Sequence, residues 1–490
     1  MPILNASDPV TSGSRALCLS FAEETVWLLN RLQEGSDEDG LFGRMSSAFR
    51  LNGPLDVAAI QQAAVEIVGR HQVLRTSFRQ TTGGLERHVH PIDDFHPIVE
   101  QVSTGGPTGD PHAEATALIA REANRRFDLD SGPLWRFRII RVSDLEHYLQ
   151  LTVHHIVSDA WSGAIILRDL GALYNQFSGG LGAVLPELHV QYAEYAARER
   201  ESLTGPRSEA ALAYWRRQLR DAPRHLDLPT DRPREPRVPH VSATFSFTLP
   251  STTGRAVVAA AKDGRATPFV FLLTAFEVLL HKLSGQASMV VGTPMMNRNR
   301  VEWENVVGLF LDILALRTDL SGNDTFAQVL HRVRDTLFGA ITHADIPTAA
   351  LAQTLGLLPL NEGRPPFFPV VFNFRNSSLM RAGRRRALFS RAFQNDPRLL
   401  EALRRAGALK LRGVQIERVP TTARETSQFD LTLNVNPLMH GEIRFDLIYD
   451  RSLFSPDTMR GFGEQYMAVV QHALAHPQQG IHAYPPATHY

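Results

Sequence analysis

Cysteine is all but missing from this chain. Cys18 is the only one among 490 residues. That excludes an intrachain disulfide and any zinc site built on paired cysteines. Net charge is missing too, since 51 basic residues balance 51 acidic ones. No global field therefore steers the protein toward nucleic acid or a membrane surface. Lysine is scarce: of the 51 basic residues only Lys262, Lys282 and Lys410 are lysines, and 51 less 3 leaves 48 arginines. This reads as the imprint of a GC-rich genome and carries no mechanism. No run approaches the ~18 apolar residues that a membrane helix needs. Met1 to Arg15 has no basic flank followed by an apolar core, so no secretory signal is read. The expectation is a cytoplasmic protein. Two catalytic signatures are also lacking: there is no Gly-x-Ser-x-Gly elbow and no Walker-type phosphate loop. Gly179-Gly180-Leu181-Gly182 reads as a linker.

What is present is ordinary globular material, 43% hydrophobic and 21% charged, and long enough for two or three domains. Helical periodicity predicts helices over 16–30, 57–71, 113–126, 162–177, 212–219, 268–283 and 456–474. Ser20 and Glu23 stand at the positions of a capping box in the first of these. Strands are predicted over 45–51, 74–78, 134–142, 243–248, 289–292, 310–316 and 369–374, with a hairpin pairing 431–435 and 443–449. Strands and helices interleave, which is the pattern of an α/β fold with a mixed sheet. The Gly-rich stretch 178–186 is the candidate boundary, giving a first domain over 1–180 and a second over 187–490.

One strand carries the chemistry. Leu149, Leu151 and Val153 alternate with Tyr148, Gln150 and Thr152, as in a half-buried strand. The strand runs directly into His154 and His155, with Asp159 four residues on. Successive strand residues point to opposite faces, so only one of the two imidazoles can enter a given cavity. A histidine held within reach of a nucleophile can act as general base, worth roughly 10²–10⁴-fold. The second histidine and Asp159 would fix the turn. Metal binding fits poorly, because adjacent strand histidines diverge and His88 and His90 are the only other close pair.

The run His154-His155-Ile156-Val157-Ser158-Asp159-Ala160-Trp161-Ser162 resembles the His-His-x-x-x-Asp-Gly signature of condensation domains from nonribosomal peptide synthetases. Other stretches are similar to that family in the same order. They include Ser20 to Trp27, Arg70 to Phe78, Phe127 to Leu134, Val190 to Tyr195, Gly292-Thr293-Pro294 with Arg298-Asn299-Arg300, Val307 to Phe310, His343 to Pro347, and Phe429-Asp430-Leu431.

The resemblance implies two chloramphenicol acetyltransferase-like lobes in a V-shaped pseudo-dimer, with a central tunnel. It implies acyl transfer from a carrier-protein phosphopantetheinyl thioester to an amine or alcohol, giving an amide or ester. His155 would be catalytic, either deprotonating the acceptor or positioning it and stabilising the tetrahedral intermediate. His154 and Asp159 would support the turn, with Arg298 from the second lobe as the ion-pair partner of Asp159. No metal or bound cofactor is implied; phosphopantetheine arrives on an acyl or peptidyl carrier protein. Two readings stay open beside this one: a coenzyme A-dependent acyltransferase of the same superfamily, and a non-catalytic recruitment platform.

Three features depart from the family pattern. Ala160 replaces the signature glycine, which would be strained if the position needs a positive φ. The chain ends at Tyr490 with no adenylation or carrier module. The expectation is a free-standing monomer that recruits its carrier in trans. Residues 377–412 read as an insertion with ten basic residues against Asp396 and Glu401, a net charge of +8. Asp396-Pro397 could start a short helix to Ala406. Arg384, Arg385 and Arg386 are the candidate docking residues for an acidic carrier or a phosphate-bearing thioester.

Overall fold

The computed structural model describes residues 18–32, 42–94, 102–103, 109–180, 182, 184–234, 240–320, 323–356, 368–374, 409–421, 426–427, 429–438 and 441–484. The chain forms two compact units. The first comprises Met1–Glu201, Asn297–Leu311 and Arg386–Arg424; the second comprises Ser202–Met296, Asp312–Arg385 and Glu425–Tyr490. Both are discontinuous, whereas the sequence suggests one break near 178–186. Long-range pairing is the reason. The strand Gln415–Val419 hydrogen-bonds to Arg44–Asn52, and backbone groups of 308–310 bond to Asp159 and Ser162.

The first unit is built on a five-stranded mixed sheet. Its order is Gln415–Val419, Arg44–Asn52, Glu146–His154, Trp135–Ser143, Val102–Ser103. All neighbours are antiparallel except the last pair. Glu146–His154 is the central strand, and it is buried on both faces rather than half-buried. The helix Pro111–Ala123 covers the face expected to be wet. Ile119 packs with Ala48, Ile140 and Tyr148, and the Gln150 carboxamide donates to the Ile119 carbonyl at 2.9 Å. The buried amide nitrogen is thereby satisfied.

The second unit has a seven-stranded mixed sheet. The order is Thr426–Ser427, His240–Leu249, Ile443–Asp450, Leu431–Pro437, Val370–Phe374, Ser288–Met296, Leu311–Asp319. The expected hairpin is there: Leu431–Pro437 pairs antiparallel with Ile443–Asp450. The helix Pro268–Ser284 lies at the heart of this unit and is buried all round from Phe269 to Leu280. Its ends follow local chemistry. Thr267 caps the first turn, proline occupies it, and Gly285 closes it at φ 70.

Several elements differ from the sequence expectations. The strand expected over 74–78 begins only at Thr76, after a 3₁₀ turn Gln72–Arg75. The helix expected over 113–126 runs Pro111–Ala123, because Asp110 caps it early. The helix expected over 212–219 starts at Pro206. Helices Tyr192–Glu201, Ser251–Asp263 and Phe326–Thr342 are additions to the elements that periodicity predicts. The proposed helix over 397–406 lies outside the described residues.

Candidate active site

The site grows from the end of the central strand of the first unit. Regular strand geometry stops at His154, and His155–Val157 forms a single 3₁₀ turn. A helix, Ala160–Phe177, starts three residues later with Asp159 as its N-cap. The break in backbone geometry gives the two histidines different surroundings.

His154 is buried and locked. Its Nδ1 accepts the Ile156 backbone N–H at 3.1 Å. Its Nε2 lies 3.0 Å from the Asn30 Nδ2. Phe127 packs edge-on against the ring at 5.8 Å. Gly43, at φ 75, passes so close that an added Cβ would meet the ring at 2.8 Å. Burial, helped by the neighbouring His155, pushes the His154 pKa down to about 3. His154 is thus a neutral strut.

His155 is half-buried. Its backbone N–H donates to the Gly43 carbonyl at 2.5 Å. Its Nδ1 lies 2.7 Å from the Ser158 carbonyl oxygen. A carbonyl can only accept, so Nδ1 carries the proton. The neutral ring then presents a lone pair at Nε2, the tautomer a general base needs.

Asp159 is fully engaged in structure. One carboxylate oxygen accepts the Ser162 N–H at 2.7 Å and faces the Arg298 guanidinium at 3.4 Å. The other accepts the Phe310 N–H at 3.0 Å. Arg298 and Asp159 have side chains only 2% and 1% exposed. Arg298 also donates to the carbonyls of Trp303 and Val306, each at 2.6 Å, and to the Ser162 hydroxyl at 2.8 Å. Its guanidinium lies 3.9 Å over the Phe310 ring. Burial pulls the Arg298 pKa below its ordinary value, and Asp159 opposes this. The structure thus brings together His154, His155, Asp159 and Arg298. It corrects one expectation, because residues 297–311 belong to the same unit as the histidines.

Sequence reasoning missed Ser162 as a participant. Its hydroxyl donates to the Gly308 carbonyl at 2.7 Å and accepts the Gly308 N–H at 3.0 Å. Nothing in the local sequence announces a partner 146 residues away. Asn30 and Gly43 were missed for the same reason. Ala160 carries no strain: it begins the helix, is exposed, and the only positive-φ non-glycine residues among those described are Asp221 and Arg265. Arg384, Arg385 and Arg386 lie outside the described residues. Among the described residues, no group of three or more His, Cys, Asp or Glu is placed to hold a metal ion, and no single helix is long and apolar enough to cross a membrane.

The condensation domain family matches residues 14–486. The chain belongs to the condensation domain family. This is a family of acyltransferases of nonribosomal peptide synthesis, and the match covers both units. The chain is 37% identical over 371 residues, 76% of its length, to malpibaldin synthetase of Mortierella alpina. It is 32% identical over 467 residues, 95% of its length, to phosphinothricin tripeptide synthetase PhsB of Streptomyces viridochromogenes. It spans 7% of the former's length and 36% of the latter's. Among solved structures, the X-domain from teicoplanin biosynthesis matches over 98% of this chain and 99% of its own, with TM-score 0.82 and 24% identity. That likeness speaks to the fold. SgcC5 from Streptomyces globisporus matches over 94% of this chain and all of its own, with TM-score 0.73 and 25% identity.

Proposed function

We propose that this chain catalyses acyl transfer from a carrier-protein phosphopantetheinyl thioester to an amine or alcohol, with His155 as the general base. The observation that carries this reading is the His155 tautomer. The Ser158 carbonyl holds the Nδ1 proton, so Nε2 is free to accept another. Nε2 takes the proton of the acceptor N–H or O–H as the nitrogen or oxygen attacks the thioester carbonyl. The tetrahedral intermediate collapses by breaking the C–S bond. The imidazolium returns its proton to the departing sulfur, leaving an amide or ester and a free thiol. His154, Asp159 and Arg298 hold the turn that aims His155.

No protein metal or bound cofactor enters these steps. The acyl group is presented on the phosphopantetheine arm of the carrier. The test is intact-mass analysis of acyl-loaded carrier domains incubated with the chain and candidate acceptors. His155→Ala should lower the rate by about 10²-fold or more. Product formation undiminished in His155→Ala would favour a recruitment platform. Equal turnover of a coenzyme A thioester would favour the coenzyme A-dependent reading.

A further inference from the structure

Tyr192 is buried where its own helix, Tyr192–Glu201, meets Ser20 and the loop 308–310 of the first unit. Burial, with Glu23 and Glu199 nearby, raises its pKa well above the ordinary value, so the phenol keeps its proton. That proton has one destination. The hydroxyl lies 2.5 Å from the Leu309 carbonyl oxygen and 2.8 Å from the Ser20 hydroxyl. A carbonyl can only accept, so Tyr192 donates to Leu309 and Ser20 donates to Tyr192. The Ser20 oxygen in turn accepts the Glu23 N–H at 3.1 Å, and the Glu23 carboxylate takes the Arg87 guanidinium.

The Leu309 carbonyl belongs to the same peptide unit as the Phe310 N–H. That N–H donates to Asp159 at 3.0 Å. One rigid peptide plane is therefore held by Tyr192 at its oxygen and by Asp159 at its nitrogen. Hydrogen bonds arranged head to tail polarise one another, so the Tyr192 bond strengthens the donor that Asp159 accepts. The next link is also a peptide. The Asp159 carboxylate caps its helix by accepting the Ser162 N–H at 2.7 Å. The Asp159 backbone nitrogen shares a peptide with the Ser158 carbonyl, whose oxygen lies 2.7 Å from His155 Nδ1. The contacts thus run from the Tyr192 hydroxyl through two peptide planes and one carboxylate to the imidazole.

The Tyr192 ring has a separate role. Gly308 passes so close that an added Cβ would meet it at 2.0 Å. The Phe310 ring meets it edge-on, with centres 5.0 Å apart. Packing against Gly308 and Phe310 needs only the ring, whereas orienting the peptide between them needs the hydroxyl. Phenylalanine separates the two.

We infer that Tyr192 is a positioning residue for His155. Its hydroxyl fixes the Leu309–Phe310 peptide, that peptide fixes Asp159, and Asp159 fixes the Ser158 carbonyl that selects the His155 tautomer. The inference rests on the reading that His155 Nε2 is the base, since only then does the tautomer govern the rate.

The test is Tyr192→Phe with nitrogen-15 in the histidine rings, read by NMR. The His155 signals are assigned by their loss in His155→Ala. Wild type should carry the neutral-ring proton on Nδ1, and Tyr192→Phe should divide it between the two nitrogens. With an acyl-loaded carrier domain and an acceptor that wild type turns over, kcat should fall about tenfold or more. KM for both substrates should stay within about twofold, the split expected when aim rather than binding is lost. Circular dichroism and a cooperative melt show whether the variant folds. If it misfolds, Ser20→Ala decides. That variant keeps the ring and the Leu309 bond but removes the donor behind Tyr192, and should lower kcat about two- to threefold with a smaller tautomer change. An unchanged His155 tautomer in a folded Tyr192→Phe overturns the proposal, as does a change confined to KM. A divided tautomer with undiminished kcat upholds the positioning and refutes His155 as the base. Absence of turnover by wild type refutes the proposed reaction and leaves the positioning to be judged by the tautomer alone.

Discussion

Replacing Asp159 with alanine tests whether its carboxylate holds structure or does chemistry. The carboxylate serves three groups at once: the Ser162 N–H, the Phe310 N–H and the Arg298 guanidinium. Losing a helix N-cap costs about 1 kcal/mol. Leaving the Phe310 N–H buried without an acceptor costs about 1–3 kcal/mol. Stripping a buried ion of its partner costs about 3–5 kcal/mol. These penalties share one carboxylate and do not add. Arg298 also keeps two carbonyls, the Ser162 hydroxyl and the Phe310 ring. The expected loss is therefore about 3–5 kcal/mol, a large part of the ~5–15 kcal/mol that holds a domain together. Asp159→Asn keeps one acceptor oxygen, for the cap, but sets its amide nitrogen against the Phe310 N–H, so it should recover only part of that loss. Urea unfolding followed by tryptophan fluorescence reads this, since Trp161 and Trp303 lie in the same unit. Adding Arg298→Ala to Asp159→Ala should cost less than the sum of the single changes, because the orphaned charge goes with it. The reasoning fails if Asp159→Ala unfolds within about 1 kcal/mol of wild type while acyl transfer falls 10²-fold. Asp159 would then act on the reaction itself.

Other predictions rest on single positions. Glu277 is fully buried, and burial raises its carboxyl pKa from the ordinary 4.5 to about 8. The native state thus keeps a proton that the unfolded chain releases, so this contribution is full below about pH 4.5 and is lost as pH rises through about 8. The span amounts to about 5 kcal/mol at most. Glu277→Gln should flatten the fall in unfolding midpoint between about pH 5 and 8, and an unchanged slope would count against the burial argument. Gly308→Ala would drive a Cβ into the Tyr192 ring, whose hydroxyl donates to the Leu309 carbonyl at 2.5 Å. It should destabilise by about 1–3 kcal/mol in thermal or urea unfolding. Ala160→Gly, restoring the family residue at an exposed helix start, should cost under about 1 kcal/mol and leave the acyl-transfer rate within about twofold.

The parts of the fold that could be read ahead are those governed by neighbours in sequence. Ser20 and Glu23 form the expected capping box: the Glu23 N–H donates to the Ser20 hydroxyl at 3.1 Å, and the Ser20 N–H to the Glu23 carboxylate at 2.8 Å. The hairpin and the helix Pro456–Ala475 stand close to where periodicity puts them. What could not be read is who else uses the same atoms. Glu23 also takes the Arg87 guanidinium at 2.5 Å, 64 residues along. Helix Tyr192–Glu201 eludes periodicity because its buried residues are Tyr192, Tyr195, Ala196 and Glu199, a stripe with little apolar signal. Glu199 is inside because its carboxylate accepts the Phe21 N–H and the Tyr195 hydroxyl.

The histidine pair shows the same limit and how far sequence still goes. Strand alternation alone predicts that the two rings face opposite ways, but it does not say which is free. That decision is made by Gly43 and Phe127 on one side and by the 3₁₀ turn on the other. Gly43 seals the His154 ring while its carbonyl receives the His155 N–H. One glycine therefore both buries the strut and anchors the turn that presents the base.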